Sequence, residues 1–288
     1  MRRAASLIAL AIALASCDPA PAPAGAHRWY GVTLDDVTRL DQIVTSLARL
    51  PRRPAVRIVF DPGVAPARYR AAVDRVAAVG DILAEPVDSS AATQYTTAQY
   101  TGRFRQYLAA FAAAVPVWEI GNEVNGDWLG PADRVRADIA AAYQAVRAYR
   151  RQTALTLSYE PGCAAAHAND MWTWAATNIT SALKAGLDYV LVSYYADDCD
   201  GYQPTDQEWT MVFRRLHQLF PHAKLGFGEV GTHLDATPAA KRATLERYYR
   251  LSIDAPGYIS GCFWWYYAED MIPYQRSVLW RALASLMS

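Results

Sequence analysis

The feature that most constrains the fold is an alternation of short apolar segments with longer amphipathic helical segments, which recurs eight times. The predicted strands are Trp29–Leu34, Ala55–Phe60, Asp81–Pro86, Val117–Gly121, Ala154–Tyr159, Tyr189–Tyr195, Lys224–Glu229 and Tyr258–Tyr267. The predicted helices are Asp36–Leu50, Pro66–Val79, Thr97–Ala114, Pro131–Arg150, Asn169–Lys184, Asp206–Phe220, Pro238–Ile253 and Gln275–Met287. Because a helix follows every strand, neighbouring strands should run parallel.

Two of the helix starts carry a local signal as well as the periodicity. Thr205 and Glu208 have the spacing of a capping box, and Thr237 precedes a proline that suits a first helical position. Eight such units at this length predict an α/β protein made of a single (β/α)8 TIM barrel. An open doubly wound sheet is the alternative, but no glycine-rich phosphate loop follows any strand.

Composition narrows the class of ligand. Hydrophobic residues make up 52% of the 288 residues, which is enough for a sizeable core. Lys and Arg total 28 and so do Asp and Glu, so net charge gives no reason to expect nucleic acid as a partner. The 9 Trp and 18 Tyr suit stacking against sugar faces, and a carbohydrate is the expected partner.

The first 26 residues are predicted to be a processing and anchoring segment. Arg2 and Arg3 precede an apolar stretch that is too short for a permanent membrane span. Leu14-Ala15-Ser16-Cys17 resembles the lipobox of bacterial lipoproteins, which implies a signal peptide over 1–16 and a lipid on Cys17. Residues 17–26 would be a Pro/Ala-rich tether to the membrane, and 27–288 the catalytic barrel of an exported periplasmic or cell-surface lipoprotein. An ordinary secretory signal is the alternative.

Three further cysteines follow the leader. Cys163 and Cys199 come just after the fifth and sixth predicted strands, so a disulfide between neighbouring loops is plausible in an oxidising compartment. Cys262 lies inside a predicted strand and should be a buried thiol. A metal site built from the three is the other interpretation, but their spacing matches no zinc pattern.

Two glutamates end predicted strands, where barrel active sites lie. Val117-Trp118-Glu119-Ile120-Gly121-Asn122-Glu123 closes the fourth strand, and Leu225-Gly226-Phe227-Gly228-Glu229 closes the seventh. Here the barrel resembles clan A of the glycoside hydrolases. The resemblance implies Glu123 as acid/base and Glu229 as nucleophile of a retaining enzyme, with the two carboxyl groups about 5–5.5 Å apart.

The resemblance also implies supporting roles. Asn122 would bind the sugar 2-hydroxyl, and Arg57 in the second strand would pair with Glu229. A tyrosine at the end of the sixth strand would touch the nucleophile. Tyr194 and Tyr195 both qualify, because the register is open, and Tyr195 is favoured.

Tryptophans supply candidate sugar platforms. Trp264 and Trp265 lie in the eighth strand, where clan members use a tryptophan as a subsite floor, and only one of the pair can face the barrel. Trp128, and after the fifth strand Trp172 and Trp174, are loop candidates. Packing of helix against strand is an equally good interpretation of these three.

Other residues of the sequence allow rival interpretations of the site. Other acids crowd the same rim, with Glu160 the strongest competitor as an acid; they are Asp35, Asp61, Asp88, Glu160, Asp197 and Asp198. The five scattered histidines form no HxH pair, so we predict no catalytic metal and no cofactor. A non-catalytic carbohydrate-binding lipoprotein is the main alternative, and a metal-dependent barrel hydrolase or lyase is a third.

Overall fold

A computed structural model describes residues 28–163 and 169–288. The predicted signal peptide, the predicted lipidation site Cys17 and the predicted tether lie outside the described residues. The strands are β1 (Tyr30–Leu34), β2 (Ala55–Val59), β3 (Asp81–Glu85), β4 (Val117–Glu119), β5 (Gln152–Ser158), β6 (Tyr189–Tyr194), β7 (Lys224–Val230) and β8 (Cys262–Trp264). The helices are α1 (Leu40–Ala48), α2 (Arg70–Val79), α3 (Thr97–Phe111), α4 (Ala132–Ala148), α5 (Met171–Asn178), α6 (Ser181–Gly186), α7 (Asp206–Leu219), α8 (Pro238–Arg250), α9 (Tyr267–Met271) and α10 (Val278–Met287).

The eight strands form a closed parallel barrel in chain order, from β1 round to β8 and back to β1. Helices connect successive strands and cover the outside of the barrel, so the predicted single (β/α)8 barrel is confirmed. Within the described ranges, no helix is long and apolar enough to cross a bilayer.

Local signals account for several boundaries. The capping box of Thr205 and Glu208 is formed at the start of α7, and Thr237 caps α8 ahead of its proline, as predicted. The predicted helix over Asn169–Lys184 is instead two helices. Ile179 is extended between them, and the side chain of Thr180 caps α6 by accepting from the backbone N–H of Leu183.

The eighth strand is much shorter than Tyr258–Tyr267, the predicted range. Only Cys262–Trp264 pairs as a strand, and a turn at Gly257 and a bend before Gly261 precede it. Aromatic and β-branched content therefore overestimated the strand, because it does not report where the chain turns.

The lower half of the barrel is filled by an apolar cluster. Its members point to the axis from six of the eight strands; they are Ala55, Leu83, Val117, Ala154, Tyr189, Leu191 and Phe263. Gly31 of β1 belongs to the same level, where a Cβ would lie 2.6 Å from the ring of Phe263. The ring of Phe263 occupies the space that a side chain at Gly31 would need. The apolar cluster therefore closes the lower end of the barrel, beneath the layer of polar residues described below.

The cysteines lie where the sequence placed them relative to the strands. A disulfide joins Cys163 and Cys199, with 5.0 Å between their Cα atoms, and ties the loops after β5 and β6 together. Cys262 is a buried free thiol.

Candidate active site

A single buried arginine organises the upper layer of the barrel. Strand alternation turns Val56 and Ile58 outward and Arg57 inward, where the guanidinium is fully buried. It donates two hydrogen bonds to Glu119, from Nε at 2.8 Å and from Nη2 at 3.0 Å. Its Nη2 also lies 3.0 Å from a carboxylate oxygen of Glu85. A charge this deep must be paired to be tolerated, and here three carboxylates surround it.

The third of these carboxylates is Glu229. Nη1 of Arg57 lies 2.8 Å from Oε2 of Glu229, and the hydroxyl of Tyr195 donates to Oε1 at 2.8 Å. Asn122 Nδ2 stands 3.5 Å from the same Oε2. Burial raises the pKa of Glu229, while Arg57 and the Tyr195 hydroxyl act in the opposite direction by stabilising the ionised form.

A β-bulge aims Glu229 at the barrel axis. Leu225 and Phe227 pack outward against the helices, so strict alternation would send Glu229 outward too. The register instead steps from Val192 opposite Phe227 to Ser193 opposite Glu229, which leaves Gly228 as the extra residue. An added Cβ at Gly228 would lie 2.9 Å from Leu191 and from Thr156, so glycine fits this site best.

Glu123 reaches the same space from the end of β4. Its φ of +45° is left-handed, a conformation that is uncommon for a residue with a side chain and is often found at functional sites. Ser193 donates to Oε1 at 2.6 Å and Ser89 donates to Oε2 at 2.9 Å. Since Ser193 is also the register partner of Glu229, the two glutamates meet above β6.

The environments of the two glutamates differ in charge. Within the described ranges Glu123 has no ion pair, and burial together with the nearby Glu229 raises its pKa to about 8. Glu229 has Arg57 in direct contact. The pKa of Glu123 favours a protonated carboxyl near neutral pH, which can donate a proton. The pKa of Glu229 is also raised by burial, but Arg57 and Tyr195 oppose that rise by favouring its ionised form.

A cleft of about 700 Å³ opens beside both glutamates. Its walls come mainly from the segments after β4, β5 and β6, with Glu229 contributed by β7. Trp128 lines it with 43% of its surface exposed, and Trp172 lines it as well. Glu160, the rival acid, also lines the cleft and accepts a hydrogen bond from Ser158.

The register separates the adjacent aromatic pairs. Tyr195 faces Glu229, whereas Tyr194 packs outward against Trp209. Trp265 lies over Arg57, with 5.2 Å between the guanidinium carbon and the ring. Trp264 as a substrate-binding residue is wrong: alternation turns it to the helical side, where it is fully buried and its Nε1 donates to Asp270. Trp174 is likewise buried in the outer core.

Four residues of this arrangement had not been singled out from the sequence. Glu85 and Glu119 surround Arg57, and Ser89 and Ser193 hold Glu123. The sequence offered a signal for the two glutamates. Each lies two residues after an apolar residue that points into the barrel, so strand alternation predicts that the glutamate points inward too. The sequence offered no such signal for the two serines. Within the described ranges, no group of three or more His, Cys, Asp or Glu is placed to hold a metal ion.

Comparisons with known proteins give the same architecture. No protein-family model matches the sequence, and no curated protein matches it. Among solved structures, the chain is similar to a GH5-4 broad specificity endoglucanase from an uncultured bacterium, with a TM-score of 0.53 and 14% identity over 91% of this chain and 94% of that one.

Two β-glucosidases are also similar. The family 1 enzyme from Thermotoga maritima has a TM-score of 0.54 at 9% identity, over 80% of this chain and 77% of that one. The enzyme from Exiguobacterium marinum has a TM-score of 0.53 at 10% identity, over 80% and 78%. At these identities the likeness shows the fold.

Proposed function

We propose that the protein is a retaining glycoside hydrolase, or a transglycosylase, acting on a β-linked oligo- or polysaccharide. The observation that supports this most directly is the unequal pair of carboxyls in one cleft. Glu229 forms an ion pair with Arg57, whereas Glu123 forms none with any described residue. Glycosidic cleavage requires a proton donor and a carboxylate nucleophile side by side. The endoglucanase and β-glucosidase neighbours are consistent with the proposal.

In the first step, a carboxylate oxygen of Glu229 attacks the anomeric carbon. The bond from that carbon to the glycosidic oxygen breaks, and the protonated Glu123 gives its proton to the leaving oxygen. In the second step Glu123, now ionised, takes a proton from water as the water attacks the anomeric carbon. The bond from that carbon to Glu229 breaks in the same step, so Glu229 leaves as a carboxylate and both carboxyls return to their starting states. A sugar hydroxyl in place of water gives transglycosylation.

The surrounding residues have roles that follow from their contacts. Arg57 and the Tyr195 hydroxyl stabilise the anionic nucleophile. Asn122 is close enough to Glu229 to contact the substituent on C2 of the sugar, the carbon next to the reacting anomeric carbon. Trp265 above Arg57 is proposed as the platform for the cleaved sugar, and Trp128 as a platform in the cleft.

The proposal is tested on a panel of bacterial and plant glycans with wild type, Glu123→Gln and Glu229→Gln. Wild type should cleave or transfer at least one glycan with retention of configuration, and each variant should lose several orders of magnitude in kcat/KM. Exogenous azide should restore turnover of an activated substrate by Glu229→Ala and yield the inverted glycosyl azide. Tight glycan binding without turnover by wild type would instead identify a carbohydrate-binding protein.

We also propose that the chain is exported and held at a membrane through a lipid on Cys17. The lipobox-like residues Leu14 to Cys17 support this. Metabolic labelling with a fatty-acid probe should label wild type, and Cys17→Ser should abolish the label. Labelling that persists in Cys17→Ser would contradict the anchor.

A further inference from the structure

The described residues that form the wall of the cleft beside Glu123 carry charge of one sign. Among the described residues that line it there is no lysine, arginine or histidine. Apart from Glu123 and Glu229, four acids line it: Asp127, Glu160, Asp170 and Asp198. A concave surface of one sign, with protein walls of low polarisability, concentrates the potential inside it.

Two of the four acids have structural partners. Asp170 caps α5 by accepting from the backbone N–H groups of Trp172 and Thr173. Asp198 lies 3.0 Å from the ring of His233, outside the cleft lining, and both side chains are largely exposed. These contacts account for their positions without any ligand.

The other two acids have no such partner. Within residues 28–163 and 169–288, neither Asp127 nor Glu160 forms an ion pair, and Glu160 accepts only a 3.2 Å hydrogen bond from Ser158. Asp127 is exposed and adjoins the platform Trp128. The two acids thus leave negative charge in the same cleft as the exposed ring of Trp128.

Two arginines that contact residues of the cleft lie outside its lining. Arg215 stacks on the ring of Trp172 at 4.2 Å but does not line the cleft. Arg57 lies beneath the site and is surrounded by Glu85, Glu119 and Glu229. Among the described residues, the charged side chains that line the solvent side of the cleft are therefore all acidic.

We propose that the substrate is a cationic glycan, an oligomer or polymer of a 2-amino-2-deoxyhexose with free amino groups, and that Asp127 and Glu160 select its ammonium groups. The inference rests on the glycosidase function proposed above. Ammonium groups pair with the two carboxylates, and the tryptophans stack on the sugar rings and attract the adjacent cation. An acidic glycan is repelled, and a neutral one gains nothing from the carboxylates.

The test compares hexamers that differ only at C2, one of β-linked glucosamine and one of β-linked N-acetylglucosamine. One such pair has 1,4 linkages throughout, and a second pair has 1,6 linkages throughout. At mildly acidic pH and low ionic strength, wild type should prefer a free-amine hexamer in kcat/KM. Each carboxylate should contribute roughly two- to fivefold, as an exposed ion pair does, and the pair on the order of tenfold. High salt should reduce the preference.

Asp127→Asn with Glu160→Gln should remove most of this preference, measured as the ratio of the kcat/KM values for the free-amine and acetylated hexamers. Asp74→Asn, which removes an exposed charge from the outer helix α2, should change neither rate. A preference for the acetylated hexamer, or a free-amine preference that survives the double substitution, would overturn the inference while leaving the hydrolase function intact.

Absence of cleavage of any glycan would end the hydrolase proposal instead. The substrate class is then judged by calorimetry of both hexamers on wild type and on the double variant. Tighter binding of the free-amine hexamer that depends on Asp127 and Glu160 supports the inference, and equal binding of the two hexamers contradicts it.

Discussion

The guanidinium of Arg57 donates a 2.8 Å hydrogen bond to Oε2 of Glu229 at the axis of the barrel. Glu123 opens into the same cleft but, in the described part of the chain, takes its hydrogen bonds from two serine hydroxyls and from no cation. The protein thus brings two identical side chains together and gives them different protonation preferences. That difference is what an acid and a nucleophile in one site require.

Removing the charge of the nucleophile should change the protonation of its neighbour. Burial and then Glu229 raise the pKa of Glu123 to about 8. In Glu229→Gln the repulsion is gone, the ionised form of Glu123 is less disfavoured, and its pKa should fall. Carboxyl carbon titration by NMR measures the change, with Glu160→Gln as the control. An unchanged or higher pKa in Glu229→Gln would mean that the two carboxyls do not interact.

Arg57 should be essential for stability as well as for activity. Arg57→Met leaves Glu119 and Glu229 buried without a cation, which should cost about 3–5 kcal/mol of unfolding free energy. Arg53→Met removes an exposed pair with Asp81 and should cost less than about 1 kcal/mol. Urea unfolding distinguishes the two. Similar losses for both variants would show that the buried cluster does not depend on its arginine.

The bulge makes Gly228 a site where one methyl group matters. Gly228→Ala meets Leu191 Cβ and Thr156 Oγ1 at 2.9 Å, so it should cost about 1–3 kcal/mol and displace Glu229. Gly102→Ala is the matched control, because nothing lies within 4 Å of its added methyl group in α3 and it should stabilise by about 0.5–1 kcal/mol. Thermal unfolding and kcat report the two effects. Full activity in Gly228→Ala would contradict the role of the bulge.

Substitution of the two adjacent tryptophans by alanine should have different effects on binding and on stability. Trp265→Ala removes the ring above Arg57 and should raise KM, with a modest change in stability. Trp264→Ala empties a fully buried position and should cost about 3–5 kcal/mol. Unfolding curves and steady-state kinetics on both variants separate the roles. The reverse pattern would mean that the register of β8 is shifted by one residue.

The sequence by itself determined the barrel architecture and the end of the barrel at which the site lies. Apolar periodicity and capping residues such as Thr205 and Thr237 act within a few residues, so eight strand–helix units could be counted. The chain order of the units then brought Glu123 and Glu229 to the same end of the barrel.

Only the tertiary structure decided which residues of each strand point into the barrel and which point outward. A shift of one residue between paired strands exchanges the inner and outer faces, and pairing partners are distant in sequence. The bulge at Gly228, the inward turn of Trp265 and not Trp264, and the Glu85–Arg57–Glu119 cluster all depend on that pairing. The local sequence pattern carries no information on the register of strand pairing, because the energy that selects the register arises from contacts across the closed barrel.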